Sequence, residues 1–126
     1  DASLEDRVVC LDPALAATVD PKATVNRLEQ SGASAVVVGS ALPAAMPDGR
    51  PAGLSGPAIR PVMLACVRAV ALNLPAVALI GAGGITATSH ARDHLETGAM
   101  AVQVGTGLLH DPTLVARLVH ELEELS

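Results

Sequence analysis

The sequence predicts an α/β fold of four consecutive βα units with parallel strands, amounting to half of a (β/α)8 barrel. Three observations carry this expectation. Four short apolar runs alternate with stretches of helical period, mostly through short connections, which is the pattern of a parallel sheet with right-handed crossovers. Two of the runs, Leu79-Ile80-Gly81-Ala82-Gly83-Gly84-Ile85 and Val102-Gln103-Val104-Gly105-Thr106-Gly107, end in glycines and lead into helical stretches. A barrel builds a phosphate cradle in this way, between its last two strands and a short extra helix. The length, 126 residues, is about half of the roughly 250 that a closed barrel needs. One half-barrel domain over 1–126 is therefore expected.

Arg7-Val8-Val9-Cys10-Leu11 stops at Asp12-Pro13 and reads as the first strand and its turn. Asp20-Pro21 sets an N-cap and an N1 proline before a helix with Val25 and Leu28 inside and Gly32 at its end. Ala35-Val36-Val37-Val38 is too uniformly apolar for a strand with a wet face, so it is expected to be fully buried. Residues 43–61 hold five prolines and three glycines and read as a long, functional or mobile loop. Pro61 then starts a helix to about Asn73, with Met63, Leu64, Val67 and Val70 on the inner face. Ala76 to Ile80 is the third strand. Thr88 or Ser89 caps a helix that runs to Glu96 and ends at Gly98. Ala99 to Val104 is the fourth strand, Gly107 to Leu109 a short turn, and Asp111-Pro112 opens a last helix to Leu125.

Composition narrows the function. Phe, Tyr and Trp are absent and the net charge is −5, so the chain lacks both the stacking platforms and the basic surface that nucleic acid requires. The longest apolar run, Leu74 to Ala82, is broken by Pro75 and Gly81 and is far shorter than the ~20 residues that span a bilayer. No segment resembles a signal peptide, which places the expectation in the cytoplasm. Cys10 and Cys66 lie far apart in the chain, without metal-ligand spacing, and read as two buried thiols. The chain opens on Asp1 and reads as a trimmed, processed or excised segment.

Three motifs then carry a resemblance. Gly53-Leu54-Ser55-Gly56-Pro57-Ala58-Ile59-Arg60-Pro61, Ile80-Gly81-Ala82-Gly83-Gly84-Ile85, and Thr97-Gly98-Ala99-Met100-Ala101-Val102-Gln103-Val104-Gly105-Thr106-Gly107 occur in this order. Together they resemble the C-terminal half of dihydroorotate dehydrogenases, FMN-dependent TIM barrels that oxidise dihydroorotate to orotate. The resemblance implies FMN as cofactor. It implies that Gly56 approaches the flavin with its backbone, that Gly83 and Gly84 bind the FMN phosphate, and that Gly105 and Thr106 complete that site. It places Ser40, within Gly39-Ser40-Ala41, where the family carries an Asn-Thr pair for the pyrimidine substrate, and Cys10 where the family carries a lysine that contacts the flavin. The family's catalytic base lies on the other half of the barrel, so no catalytic residue is assigned here.

Two further readings stay open: a catalytically silent half-barrel or association module, and a half-barrel that cradles another sugar phosphate. A half-barrel leaves its outer strands unpaired. Self-association, or a chain carrying the N-terminal half, is the expected remedy. His90 and His94 are spaced i,i+4 and share a helix face, as a metal pair would, but they read as solvent-exposed helix residues, and no metal is assigned. His110 lies beside the proposed phosphate turn. His120 sits at the solvent boundary of the last helix, and Glu121, Glu123 and Glu124 read as a solvated face.

Overall fold

The structure, a computed structural model, describes residues 7–11, 23, 26–27 and 30–126. Its main sheet holds four parallel strands in the order β1 (Arg7–Leu11), β2 (Ala33–Val38), β5 (Ala78–Ala82), β6 (Ala101–Gln103). Two further strands among the described residues, β3 (Leu42–Ala45) and β4 (Pro51–Leu54), pair with each other in an antiparallel ribbon. In the main sheet Cys10 stands opposite Val37, Val37 opposite Ile80, and Ile80 opposite Ala101. All four strands therefore end along one edge. The Asp12-Pro13 turn and the helix start at Asp20-Pro21, with Val25 and Leu28, lie outside the described residues. Positions 23, 26, 27, 30 and 31 are helical, and Gly32 ends that stretch as expected.

One face of the sheet is covered by helices. The first, α1 (Arg60–Asn73), starts from a 3-10 turn at Pro57–Ile59 with Pro61 in its first turn, where a missing N–H costs nothing. It buries Met63, Cys66, Val67 and Val70, an i, i+3, i+4, i+7 stripe that matches the helical period. Cys66, Val67 and Val70 of this stripe pack with Val36, Val38, Leu74, Leu79 and Ala99 into a cluster that holds no aromatic side chain. A second helix, α2 (Thr88–Thr97), and the last helix, α4 (Leu114–Glu124), enclose a smaller cluster of Ile85, Ala91, Leu114 and Leu118, with Val102 of β6 against it. Between β6 and α4 lies a single helical turn, α3 (Gly107–His110). Strand period explains the split. Val36 and Val38 are fully buried toward α1, whereas Val37, between them, faces the other way.

Several expectations need correction. Residues 43–61 are not a structureless loop: most of them form the antiparallel β3–β4 hairpin and the 3-10 turn. Prolines argue against a central strand, but in a two-stranded ribbon every strand is an edge, so Pro43 and Pro51 are tolerated. The hairpin is closed by Met46 N–H to the Arg50 carbonyl and Gly49 N–H to the Met46 carbonyl, each 2.8 Å, at an Asp48-Gly49 turn. The cap of α2 is Ala87, without a side-chain hydrogen bond. Thr88 instead donates its hydroxyl to Glu121 of α4, which removes Glu121 from the solvated acidic face. The last helix is capped by Thr113. Asp111 stands ahead of it and accepts from Thr113 N–H at 3.0 Å and from the Thr113 hydroxyl at 2.6 Å. Cys66 is buried but Cys10 is exposed: it lies on β1, the outer strand, whereas Val37, its partner on the inner strand β2, is buried. His94 is the largest departure: it is completely buried.

Candidate functional site

The carboxyl ends of the four parallel strands surround a cavity of about 400 Å³. Ligands bind at this edge of parallel sheets because each strand ends there in a turn with exposed backbone. Each element contributes. Cys10 comes from β1, Ser40 from the end of β2, Gly83 and Gly84 from the end of β5, and Gln103, Gly105 and Thr106 from β6 and beyond. Gly56 comes from the stretch between β4 and α1. The structure thus brings together every residue singled out above for cofactor or substrate. Gln103 was not among them. Its alternation with Val102, which packs inward against α2 and α4, is the signal that would have found it.

The glycines divide into two kinds. Gly83 and Gly84 have φ of 102° and 75°, a pair of left-handed residues that only glycine adopts without strain. They are also pressed against α1: a Cβ on Gly83 would stand 2.5 Å from Met63 Cγ, and one on Gly84 2.7 Å from Arg60 Cβ. Their glycine character is demanded by the fold. Gly105 has no positive φ, and a Cβ there would meet nothing within 4 Å. The protein does not fill the space beside it.

The turn after β5 is braced from below by α2. Thr86 N–H donates to His90 Nδ1 at 3.2 Å, so this nitrogen is an acceptor. His94 Nε2 lies 3.1 Å from the Gly83 carbonyl and donates its hydrogen there. The two imidazoles serve different parts of the turn and do not form a shared ligand pair. Burial, above all, pushes the His94 pKa down; the nearby Arg60 charge acts the same way, while the Gly83 hydrogen bond opposes it. Arg60 itself pairs with Asp93 of α2, tying the start of α1 to the same helix. His110 and His120 are both exposed. Ser40, at the lip, donates its hydroxyl to the Ala41 carbonyl at 3.1 Å. Burial raises the pKa of Cys66, which lies in the aliphatic cluster away from the cavity. Among the described residues no helix is long and apolar enough to cross a membrane.

Backbone turns, one threonine hydroxyl and open space beside a glycine suit an oxyanion carried on a larger, flat molecule. Comparison with known proteins agrees. The profile of the family described as dihydroorotate dehydrogenase matches residues 46–125. The catalytic subunit of dihydroorotate dehydrogenase B (NAD(+)) from Maridesulfovibrio salexigens is 42% identical over 73 residues, covering 58% of this chain and 24% of that protein. A putative dihydroorotate dehydrogenase A (fumarate) from Solibacter usitatus is 36% identical over 126 aligned positions, covering 91% of this chain and 40% of the relative. The crystal structure of an Eimeria tenella dihydroorotate dehydrogenase in complex with ferulenol superposes with a TM-score of 0.73 at 21% identity, covering 94% of this chain and 33% of that one. The chain thus spans between a quarter and two fifths of the length of these curated relatives.

Proposed function

The chain belongs to the dihydroorotate dehydrogenase family, and on that premise we propose that it carries the FMN-phosphate half of a flavin-dependent barrel that oxidises dihydroorotate to orotate. The observation behind the reading is the convergence of Gly56, Gly83, Gly84, Gly105 and Thr106 on one cavity. These residues fit the group. No protein atom lies within 4 Å of where a Cβ on Gly56 or Gly105 would stand, which leaves room for a ring edge at one point and a phosphate oxygen at the other. The volume, about 400 Å³, lies in the range of roughly 300–1,000 Å³ typical of ligand pockets.

When bound, FMN would supply the acceptor for the electron pair; the chain's own contribution is to hold and orient it. The N–H groups of the Gly83-Gly84 turn and of Gly105, with the Thr106 hydroxyl, would donate to the phosphate oxygens. Gly56 would let the backbone approach the ring, and Ser40 would offer a hydroxyl to the substrate at the lip. No residue of this chain is assigned as the general base. A specific observation favours a second reading, in which the cradle persists without the redox step. Cys10 lines the cavity, and a thiol brings no cation to the reduced ring.

The barrel reading also has a consequence for assembly. Among the described residues, no helix packs over the sheet face bearing Val37 and Ile80, and β1 and β6 each pair on one side. Four more strands would close this half into a TIM barrel. They would come from the remainder of a longer chain, from a companion chain, or from a second copy.

Titration of the chain with FMN, read by flavin fluorescence, tests the cradle. Saturable binding that Gly105→Asp abolishes is the expected outcome, since the new carboxylate would occupy the phosphate position without straining the fold. Binding that is indifferent to this substitution sinks the reading. A steady-state assay with dihydroorotate, FMN and an artificial electron acceptor then separates the two readings: turnover above the flavin-only background excludes the silent one.

A further inference from the structure

His94 is the one polar or charged side chain among the described residues that is fully buried, and neither cofactor nor substrate reading uses it. Its surroundings are built around it. A Cβ on Gly81 would stand 2.6 Å from His94 Nδ1, so the middle of β5 gives up a side chain to make room for the ring. Nδ1 has no hydrogen-bond partner among the described residues. Among the described residues, its one hydrogen bond runs from Nε2 to the Gly83 carbonyl at 3.1 Å. A buried polar side chain that leaves one of its two nitrogens without a partner is a poor way to fill a core. A phenyl or branched aliphatic side chain would do so at lower cost.

That single link acts on a sensitive point. Gly83 and Gly84 both have positive φ, and a peptide plane between two glycines rotates more freely than any other. The Gly83 carbonyl and the Gly84 N–H belong to the same planar trans peptide and point in opposite directions. Fixing the carbonyl on His94, which lies behind the turn, directs the Gly84 N–H away from it, toward the side on which Gly84 lines the cavity.

We infer that His94 is a positioning residue of the cradle, holding the Gly83-Gly84 turn through its Nε2–H so that the turn grips a phosphate monoester. The inference rests on the cradle reading above. It requires a hydrogen on Nε2, which in the neutral ring leaves Nδ1 bare. The charged or titratable groups around the ring are Arg60 of α1 and Asp93 of its own helix, with His90 one turn away; Gly81 of β5 and Gly83 of the turn after it, which also face the ring, carry no charge.

The test compares three forms of the chain by FMN titration and thermal unfolding. His94→Phe keeps a flat ring and loses the donor. His94→Gln keeps a donor near the Nε2 position. The expected result is a roughly tenfold loss of FMN affinity in the Phe variant, the size of one net hydrogen bond, and affinity within about threefold of wild type in the Gln variant. Stability should not follow this order, because the Phe variant also removes a buried polar group. Equal affinity in the Phe variant and wild type overturns the inference, as does an equal loss in both variants. If the Phe variant does not fold, the imidazole ¹⁵N shifts of the wild type decide. A hydrogen on Nε2, with Gly83 and Gly84 amide shifts that move on adding FMN, supports the inference; a hydrogen on Nδ1 overturns it. A wild-type chain that binds neither FMN nor inorganic phosphate removes the cradle reading and this inference together. A binding wild type with an indifferent Phe variant removes this inference alone.

Discussion

The two faces of the sheet are made from the same few residue types and have opposite fates. Toward α1, Val36, Val38 and Leu79 are locked into an aliphatic cluster and almost wholly buried. Toward the cavity, Val37 at the centre is buried as well, but Cys10, Ile80 and Ala101 remain open to varying degrees. Both faces are apolar, as strands destined for burial on both sides should be. The difference is one of cover: among the described residues, helices pack on one face of the sheet. The cavity-side residues therefore report on what else the sheet is built to meet.

The comparison can be broken most directly on the covered face. Met63 is fully buried and also backs Gly83. Met63→Ala should cost about 2–5 kcal/mol, read by denaturant unfolding, and should loosen the phosphate turn as well. A cost below about 1 kcal/mol would mean that this face is no better packed than the other.

Next in size is the effect of pH through His94. Its folded-state pKa lies below the ordinary value, so the unfolded chain takes up a proton that the folded chain refuses. Stability should be full above the unfolded value of about 6.5 and should fall as pH drops below it. Unfolding midpoints measured from neutral to mildly acid pH should show this decline, and His94→Gln should flatten it. An unchanged slope in the variant would assign the acid sensitivity elsewhere.

The uncovered face sharpens the contrast. Ile80→Ser should cost about 1 kcal/mol or less in a monomeric chain, since Ile80 is only half-buried. A larger cost, appearing only at high protein concentration, would reveal that this face is covered in solution by another copy. The smallest effect is expected at Asp111. Its carboxyl is held below the usual range, first by the Thr113 hydroxyl and then by the Thr113 backbone N–H. Its contribution is present above the unfolded carboxylate pKa and is lost as pH falls through the lower folded value. Asp111→Ala should therefore matter at neutral pH and become silent in strong acid.

Much of this architecture is legible in the chain. Val36-Val37-Val38 and Leu79-Ile80 announce buried parallel strands, and the glycines that follow announce turns at one edge. The glycines that line the cavity are legible because backbone turns are written in glycine. What sequence reading missed shares one cause, dependence on distant partners. The β3–β4 hairpin is hidden by prolines that forbid a central strand yet suit a ribbon. Cys10 follows the alternation of β1, but which face lacks a helix is decided by the whole sheet. His94 sits in a polar helical stretch that looks solvent-exposed. Only the fold places Gly81 beneath it and the Gly83 carbonyl in reach.

The aliphatic core has a further consequence. With no Phe, Tyr or Trp anywhere in the chain, the polypeptide is nearly dark in the near ultraviolet. Dye binding, peptide-bond absorbance or refractometry must measure its concentration, and near-ultraviolet circular dichroism has no protein band with which to follow tertiary order. A flavin held in the cavity would then be the molecule's sole strong chromophore. Its spectrum would carry no protein background and no aromatic side chain to quench it. Few folds offer so clean an optical readout of a single ligand.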